Sequence, residues 1–454
     1  MYSPTARPSG AFPRLHTLRR LAPVAMAAVL ALLNPQVASA QGLQELYEAA
    51  RSYDATFLAA RAQAESVEFR IEQGEALLRP SLNATAGATT GRADPPSRPA
   101  QSTSTVQGAL NARYPLFNRA NQVTVEQVRK AAETARADLA AAEQDLMLRV
   151  STAYFDVLAA QDTLATTQAS KTFITEQLAS ARRNFEVGTA TITDSREAQA
   201  RFDLATAQEI AAANELLTRS IALDQLVGRQ GVQPKPLLLP ATLPTTLPAN
   251  PEEWVSMADA QHPSVLRARV NLQVANLETD KARAGELPTV DAVGTLGVND
   301  SRGRGALLPG TGNTASVGVQ MTWPLYTGGA TQNRIKETLK LEERARNDLE
   351  AARRAVAQAT RVAYFGVQSG VAQVRALEAA EASSKLLLEA TQLGFRVGVR
   401  VNLDVLNAQS QLANTQRDLA RARYDVLVGG LRLRLAAGAL APVDVQGVAN
   451  LLAR

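Results

Sequence analysis

Two aspartates, Asp194 and Asp404, lie 210 positions apart, each just after a Phe-x-Val-Gly turn and before an apolar-periodic run. A carboxylate in that place has two uses. It can cap the helix that follows, accepting backbone N–H groups with no partner inside the helix. For Asp194, Glu197 three residues on resembles the second member of a capping pair. Alternatively, a carboxylate lining a narrow opening concentrates cations and repels anions. Bond-making chemistry finds little to work with. His262 is the one histidine left after removal of an N-terminal leader, cysteine is absent, and neither a Walker-type phosphate loop nor HExxH occurs. His262-Pro263 reads as a helix start. No catalytic, cofactor or metal site is expected, and the chain does not read as an enzyme.

The elements that would position these carboxylates are unusually long. Residues 118–187 contain no glycine or proline, and a similar stretch begins near Thr327. At about 1.5 Å per residue, such a helix spans about 100 Å, far beyond the three or four turns of an ordinary one. It is built to bridge a distance. Within it Val128, Ala132, Ala135, Leu139, Ala142, Leu146 and Ala153 keep a 4,3 spacing that Arg149 alone interrupts. Ala345, Leu349, Ala352, Val356, Ala359 and Ala363 keep the same frame in the later stretch. This is a coiled-coil seam of small residues, which requires partner helices.

The two stretches belong to an internal duplication. Tyr154-Phe155 recurs as Tyr364-Phe365, Phe185-x-Val187-Gly188 as Phe395-x-Val397-Gly398, and Gly228 as Gly438. The first repeat is placed at 41–229: helix 43–79, strands about 81–91 and 104–115, long helix about 118–186 and helix about 193–227. The second, at 252–440, has strands about 289–300 and 314–324, a long helix about 329–396 and a helix about 403–435. Between them 230–251 is a proline-rich linker, an equatorial region, and 441–454 forms a C-terminal tail.

Residues 1–40 read as a secretory signal peptide: Arg14, Arg19 and Arg20, an apolar core from Leu21 to Leu33, then Ala38-Ser39-Ala40 for cleavage. Its removal takes four arginines and no acid, leaving 44 basic against 43 acidic side chains. The pI of about 9.5 is therefore a property of the leader, and no nucleic-acid partner is indicated. With no cysteine there is no disulfide and no acyl anchor. No later run is apolar enough for a membrane helix. Any membrane insertion must use strands.

Four segments alternate with period two. Leu82, Ala84, Ala86 and Ala88 oppose Asn83, Thr85, Gly87 and Thr89, and the segments from Val106, Val290 and Val317 behave alike. Each has about the length of a tilted membrane strand. Tyr114, Phe117, Trp323 and Tyr326 gather at one end only, as aromatic rings do at a membrane–water interface. Pro115 and Pro324 are expected to stop their strands. A sheet in lipid needs a closed edge, and the smallest membrane barrels have about eight strands, so several chains must share one barrel.

The duplicated halves, the strand ends Tyr-Pro-Leu-Phe and Trp-Pro-Leu-Tyr, and the helix–turn segments Phe-Glu-Val-Gly-Thr and Phe-Arg-Val-Gly-Val together resemble the TolC-like outer-membrane channel-tunnels over nearly the whole mature length. The resemblance implies an α+β chain of mainly long helices. It implies a homotrimer with a 12-stranded transmembrane β-barrel continued by a 12-helix periplasmic α-barrel. The expected location is the outer membrane of a Gram-negative bacterium, in contact with its lipid. The implied function is the exit duct of type I protein secretion or drug efflux, with a periplasmic adaptor (membrane fusion) protein and an inner-membrane ABC or RND-type transporter as partners. It also implies site residues. Asp194 and Arg400 would pair across a closed periplasmic mouth. Phe395 stands where the family has a latch tyrosine and lacks its hydroxyl. Asp404 would form a constriction ring, with Asn407 where a second acidic ring is expected. The rival is a soluble periplasmic coiled-coil adaptor or scaffold, which would share the helices but not the aromatic-ended strands.

Overall fold

The computed structural model describes residues 41–94, 96, 99–238, 248–304, 306 and 309–453. The signal peptide at 1–40 and the middle of the proline-rich linker, 239–247, lie outside them. The chain runs α1 (Leu43–Tyr53), α2 (Ala55–Glu75), β1 (Ser81–Ala93), β2 (Gln101–Phe117), α3 (Arg119–Glu186) and α4 (Ile192–Val227). It continues α5 (Pro251–Gln261), α6 (Pro263–Ala284), β3 (Thr289–Arg302), β4 (Gly310–Thr322), α7 (Ala330–Arg396), α8 (Asn402–Ala436) and α9 (Pro442–Ala449).

The stretch free of helix breakers forms α3, 68 residues long, and its counterpart α7 has 67. Asn118 caps α3, accepting from Asn121 N at 3.1 Å. Residues 43–79, expected as one helix, form two. The chain breaks at Asp54, which turns extended and accepts from Phe57 N at 2.8 Å. Its carboxylate also takes both terminal nitrogens of Arg149, at 3.0 and 3.1 Å. The seam's one interruption is thus the partner of a buried cap. His262 does the same work between α5 and α6, its Nδ1 accepting from Ser264 N at 3.2 Å. Pro263 enforces the break by disfavouring helical geometry in the residue before it.

Beside these breaks the shorter helices end. Gly228 closes α4 at φ +73 against the Tyr53 ring, and Gly438 follows α8 at φ +69 against the His262 backbone. The seam departs from the expected frame near mid-helix. Ala359 faces out and Thr360 is fully buried, bonding to Val356 O and Ala436 O. In α3 the buried line likewise passes to Val150, Tyr154 and Val157. A straight helix of 3.6 residues per turn drifts from a 3.5-residue repeat, and the seam moves to follow it.

At this level the main core forms. Leu43, Leu46, Tyr154, Phe155, Leu223, Leu427 and Leu431 meet Val232 from the linker, Leu440 just beyond α8, and Val445 and Leu452 from the tail. The tyrosines of the duplicated Tyr-Phe pair hold the linker at both ends, Tyr154 donating to Lys235 O at 3.0 Å and Tyr364 to Ala249 O. The tail is folded, with Ala453 N donating to Pro236 O at 2.8 Å.

The four strands form one antiparallel sheet in the order β1-β2-β3-β4. Directly paired residues share a face, so the register builds two surfaces. One carries Leu82, Ala112, Gly294 and Val317 in one row and Ala84, Leu110, Leu296 and Ala315 in the next. The other carries Asn83, Asn111, Thr295 and Ser316, with Asn111 bonded to Thr295 and Arg113 to Asp291. Pro115 does not stop its strand: β2 continues to Phe117 through a register shift between Pro115 and Phe117, where a missing N–H is tolerated. β4 ends at Thr322, just before Trp323-Pro324. Among the described residues no helix is long and apolar enough to cross a membrane.

Candidate functional site

The far ends of the long helices carry the two carboxylates. Both turns reverse through a glycine in the left-handed region, Gly188 at φ +79 and Gly398 at φ +81. The exposed carbonyls of the preceding helix are then taken up, Asn184 O by Thr189 N and Gly394 O by Val399 N, each at 2.8 Å.

Beyond the turns the two halves differ. Thr191 is the N-cap of α4, and Asp194 completes a reciprocal box with it. Asp194 Oδ2 accepts from Thr191 N at 2.9 Å and Oγ1 at 2.7 Å, while Asp194 N donates to Thr191 Oγ1 at 3.2 Å. The capping partner is therefore upstream, and Glu197 is not part of it. The corresponding residue of the second half is Val401, which has no hydroxyl, and α8 begins without a side-chain cap. Asp404 instead lies 3.5 Å from Arg400, with both side chains partly exposed. The stem of Arg400 packs over Gly394, where an added Cβ would come within 2.8 Å of Cγ.

Within one chain Asp194 and Arg400 make no ion pair among the described residues. Phe395 is half-buried, packed on the cluster of Leu388, Val405, Ala408 and Leu412 with Phe173 beside it. Its ring is a packing element between α7 and α8. Asn407 is exposed and accepts from Arg201 Nη2 of α4 at 2.9 Å. Nothing in the sequence pointed to Arg201, which meets Asn407 across 206 positions. The unequal capping was legible, as Thr-x-x-Asp at 191–194 against Val-x-x-Asp at 401–404. Around both turns Val187, Ile192, Val397, Val399 and Val401 are exposed, an apolar rim at the tip.

At the opposite end the sheet presents its apolar face to the surroundings. Leu82, Val106, Leu296, Val317, Val319 and Met321 are all exposed, Val317 at 92%. Tyr114, opposite Ala292, and Phe117, opposite Val290, stand at the helix-proximal border of that face. Trp323 donates from Nε1 to Glu286 O at 3.2 Å, and Tyr326 is almost fully exposed. The outer strands β1 and β4 each have one unpaired edge.

Among the described residues no cluster of histidine, aspartate and glutamate is arranged to hold a metal. The titratable groups moved furthest from their ordinary values sit in the main core. Burial, with Glu143 beside it, pushes the Tyr47 hydroxyl up to about 12. Burial and Asp162 raise Tyr424 further, its hydroxyl donating to that carboxylate at 2.6 Å. These groups staple helices together far from the tip.

The family model described as "Outer membrane efflux protein" matches twice, over residues 46–229 and 254–439. The chain is 33% identical to the outer membrane protein TolC of Vibrio cholerae over 433 residues, 95% of this chain and 98% of that one. It is 34% identical over 308 residues to the alkaline protease secretion protein AprF of Pseudomonas aeruginosa, covering 67% of this chain and 64% of AprF. Among solved structures, the Vibrio cholerae outer membrane protein VceC superposes with a TM-score of 0.74 at 19% identity, over 87% of this chain and 96% of VceC. The Campylobacter jejuni outer membrane channel CmeC does so with 0.76 at 16% identity, over 90% of each chain.

Proposed function

This chain belongs to the outer membrane efflux protein family, and from that premise we propose that three copies form the outer-membrane exit duct of a tripartite export system. The observation that carries the reading is the sheet: an exposed apolar face, a polar opposite face, and two unpaired edges. From Val106 to Tyr114 the apolar row runs about 27 Å along the strand at about 3.4 Å per residue. Tilted, it suits an outer-membrane apolar band of about 25 Å. Four strands are too few to close, whereas three chains supply twelve and pair β1 of each with β4 of the next. The helices ask for the same neighbour: Leu204, Ile210, Leu217 and Ile221 of α4 and Leu386 and Leu393 of α7 are exposed. A soluble scaffold would gain nothing from leaving such a sheet face bare.

In the trimer the helices form a twelve-helix tube through the periplasm, with the two tip turns of each chain at its inner mouth. Each half of the chain supplies one set of strands and helices, the product of an internal duplication, and residues 230–251 with the tail form the girdle between. Asp404, repeated three times about the axis, makes a carboxylate ring. Arg400 leaves Asp404 to reach Asp194 of a neighbour and holds the mouth shut; Asp194 Oδ1 remains available while Oδ2 serves the cap. The apolar rim of valines around the turns is the surface for a periplasmic adaptor, which links the duct to an inner-membrane ABC or RND-type transporter. Tyr114, Phe117, Trp323 and Tyr326 sit at the inner membrane–water boundary. The cargo is a secreted protein or a small toxic compound, as with the relatives whose names record protease secretion and efflux. The duct is passive and needs no cofactor.

Reconstitution in planar bilayers tests this directly. The detergent-extracted protein should behave as a trimer and give discrete conductance steps. A monomer stable in water without detergent, or a bilayer left silent, would refute the proposal.

A further inference from the structure

Arg201 is one of the cations near the mouth that form no ion pair among the described residues. It stands on α4 and donates from Nη2 to Asn407 Oδ1 on α8 at 2.9 Å. Asn407 is a neutral amide, and among the described residues Arg201 forms no ion pair. The nearby Arg400, by contrast, has Asp404 at 3.5 Å. Asn407 follows Asp404 by three residues, a rise of about 4.5 Å along the helix. One helical turn apart, the guanidinium and the Asp404 carboxylate stand within about a Debye length, about 10 Å at 0.1 M salt, and act on the same ions, as does Glu197 one turn before Arg201 on α4. Beyond it α3, α4 and α8 enclose a groove of about 170 Å³ lined by Arg201, Gln208, Ser170, Asn414 and Arg417, with no carboxylate in its lining. When Arg400 turns to Asp194 of a neighbour, Asp404 and Arg201 are both left without an ion-pair partner in their own chain.

We propose that Arg201, held in place by Asn407, is a second selectivity element of the channel. A ring of guanidinium groups stacks on the Asp404 ring and offsets its preference for cations. This deepens the reading of Asp404 as a ring facing the ion path, and rests on it. A lone carboxylate ring would hinder anionic solutes and acidic polypeptides; the compensated mouth admits them. The charge is set by the residue pair. With an acid at position 407 the guanidinium would be neutralised, and the Asp404 ring would act alone.

The test is the reversal potential of single channels in a potassium chloride gradient, for the wild type, R201Q, R201K, N407D and D404N. Trimer yield and single-channel conductance report whether each variant is folded. The wild type should discriminate weakly. R201Q and N407D should each raise the potassium-to-chloride permeability ratio about two-fold or more. R201K, which keeps the charge, should stay near the wild type, and D404N should turn the channel towards anions. If D404N shifts selectivity while R201Q and N407D do not, the guanidinium ring is wrong and the carboxylate ring stands. If R201Q shifts it and D404N does not, Arg201 faces the path but has no ring to offset, and the proposal fails. Indifference of all four variants removes both assignments.

Discussion

Replacing Arg400 with serine removes the cation proposed to latch each chain to Asp194 of its neighbour. Arg400 and Asp404 lie 3.5 Å apart with 63% and 37% of their side chains exposed, so the ion pair that holds Arg400 in the single chain is a weak one. Exposed pairs are typically worth about 0.2–1 kcal/mol, and the latch must exceed the pair it displaces by an amount of that order. Phe395 brings no hydroxyl to reinforce it. Three equivalent contacts then sum to about 0.6–3 kcal/mol, and since RT is about 0.6 kcal/mol the open fraction should rise about 3- to 150-fold in R400S. Single-channel recording at low and high salt reads this out. R400S should conduct more than the wild type, and raising the salt should narrow the gap as the pair is screened. F395Y, which adds a donor beside the latch, should move conductance the other way. Equal conductance of R400S and wild type at low salt would show that Arg400 does not hold the mouth.

Introducing a hydroxyl at the bare cap of α8 with V401T should draw Asp404 from Arg400 into a reciprocal box like that of Thr191 and Asp194. A cap is worth about 1 kcal/mol against about 0.3–0.5 for the exposed pair, so first-turn amides of α8 should exchange about two- to three-fold more slowly. Unchanged protection would argue against the competition. Alanine at Gly228 should cost somewhat more than the about 1–2 kcal/mol of its left-handed backbone, because the exposed Tyr53 side chain must turn away from the added methyl. At Gly438 the methyl meets the His262 backbone at 2.5 Å, and thermal melting should show G438A as clearly the less stable. Burial, then the nearby Arg267, holds the His262 imidazole below its ordinary value of 6.5. The unfolded chain therefore binds more protons as pH falls through 6.5 towards that lower value, and stability present above 6.5 is lost across that window. The melting temperature of the wild type should fall relative to H262N, in which asparagine caps without titrating; parallel curves would refute this.

The long-range plan was open to inspection in the chain because it rests on local rules. Freedom from glycine and proline allows 68 residues of helix, and alternation sets the two faces of each strand. Phe-x-Val-Gly marks both turns, since a left-handed residue must end each helix. Such preferences act within a few positions, and a reader of the sequence can apply them one window at a time. What the tertiary structure decided lies in pairs far apart along the chain. Asp54 breaks a helix because Arg149 stands ready to hold its carboxylate, and Pro115 remains in a strand because the facing strand tolerates a shift. Thr360 displaces Ala359 from the seam because a straight helix drifts away from a seven-residue repeat. Arg201 finds Asn407 across 206 positions only once α4 and α8 lie side by side. Local propensity names the elements, but which charge meets which partner depends on distances that exist only after the helices have packed.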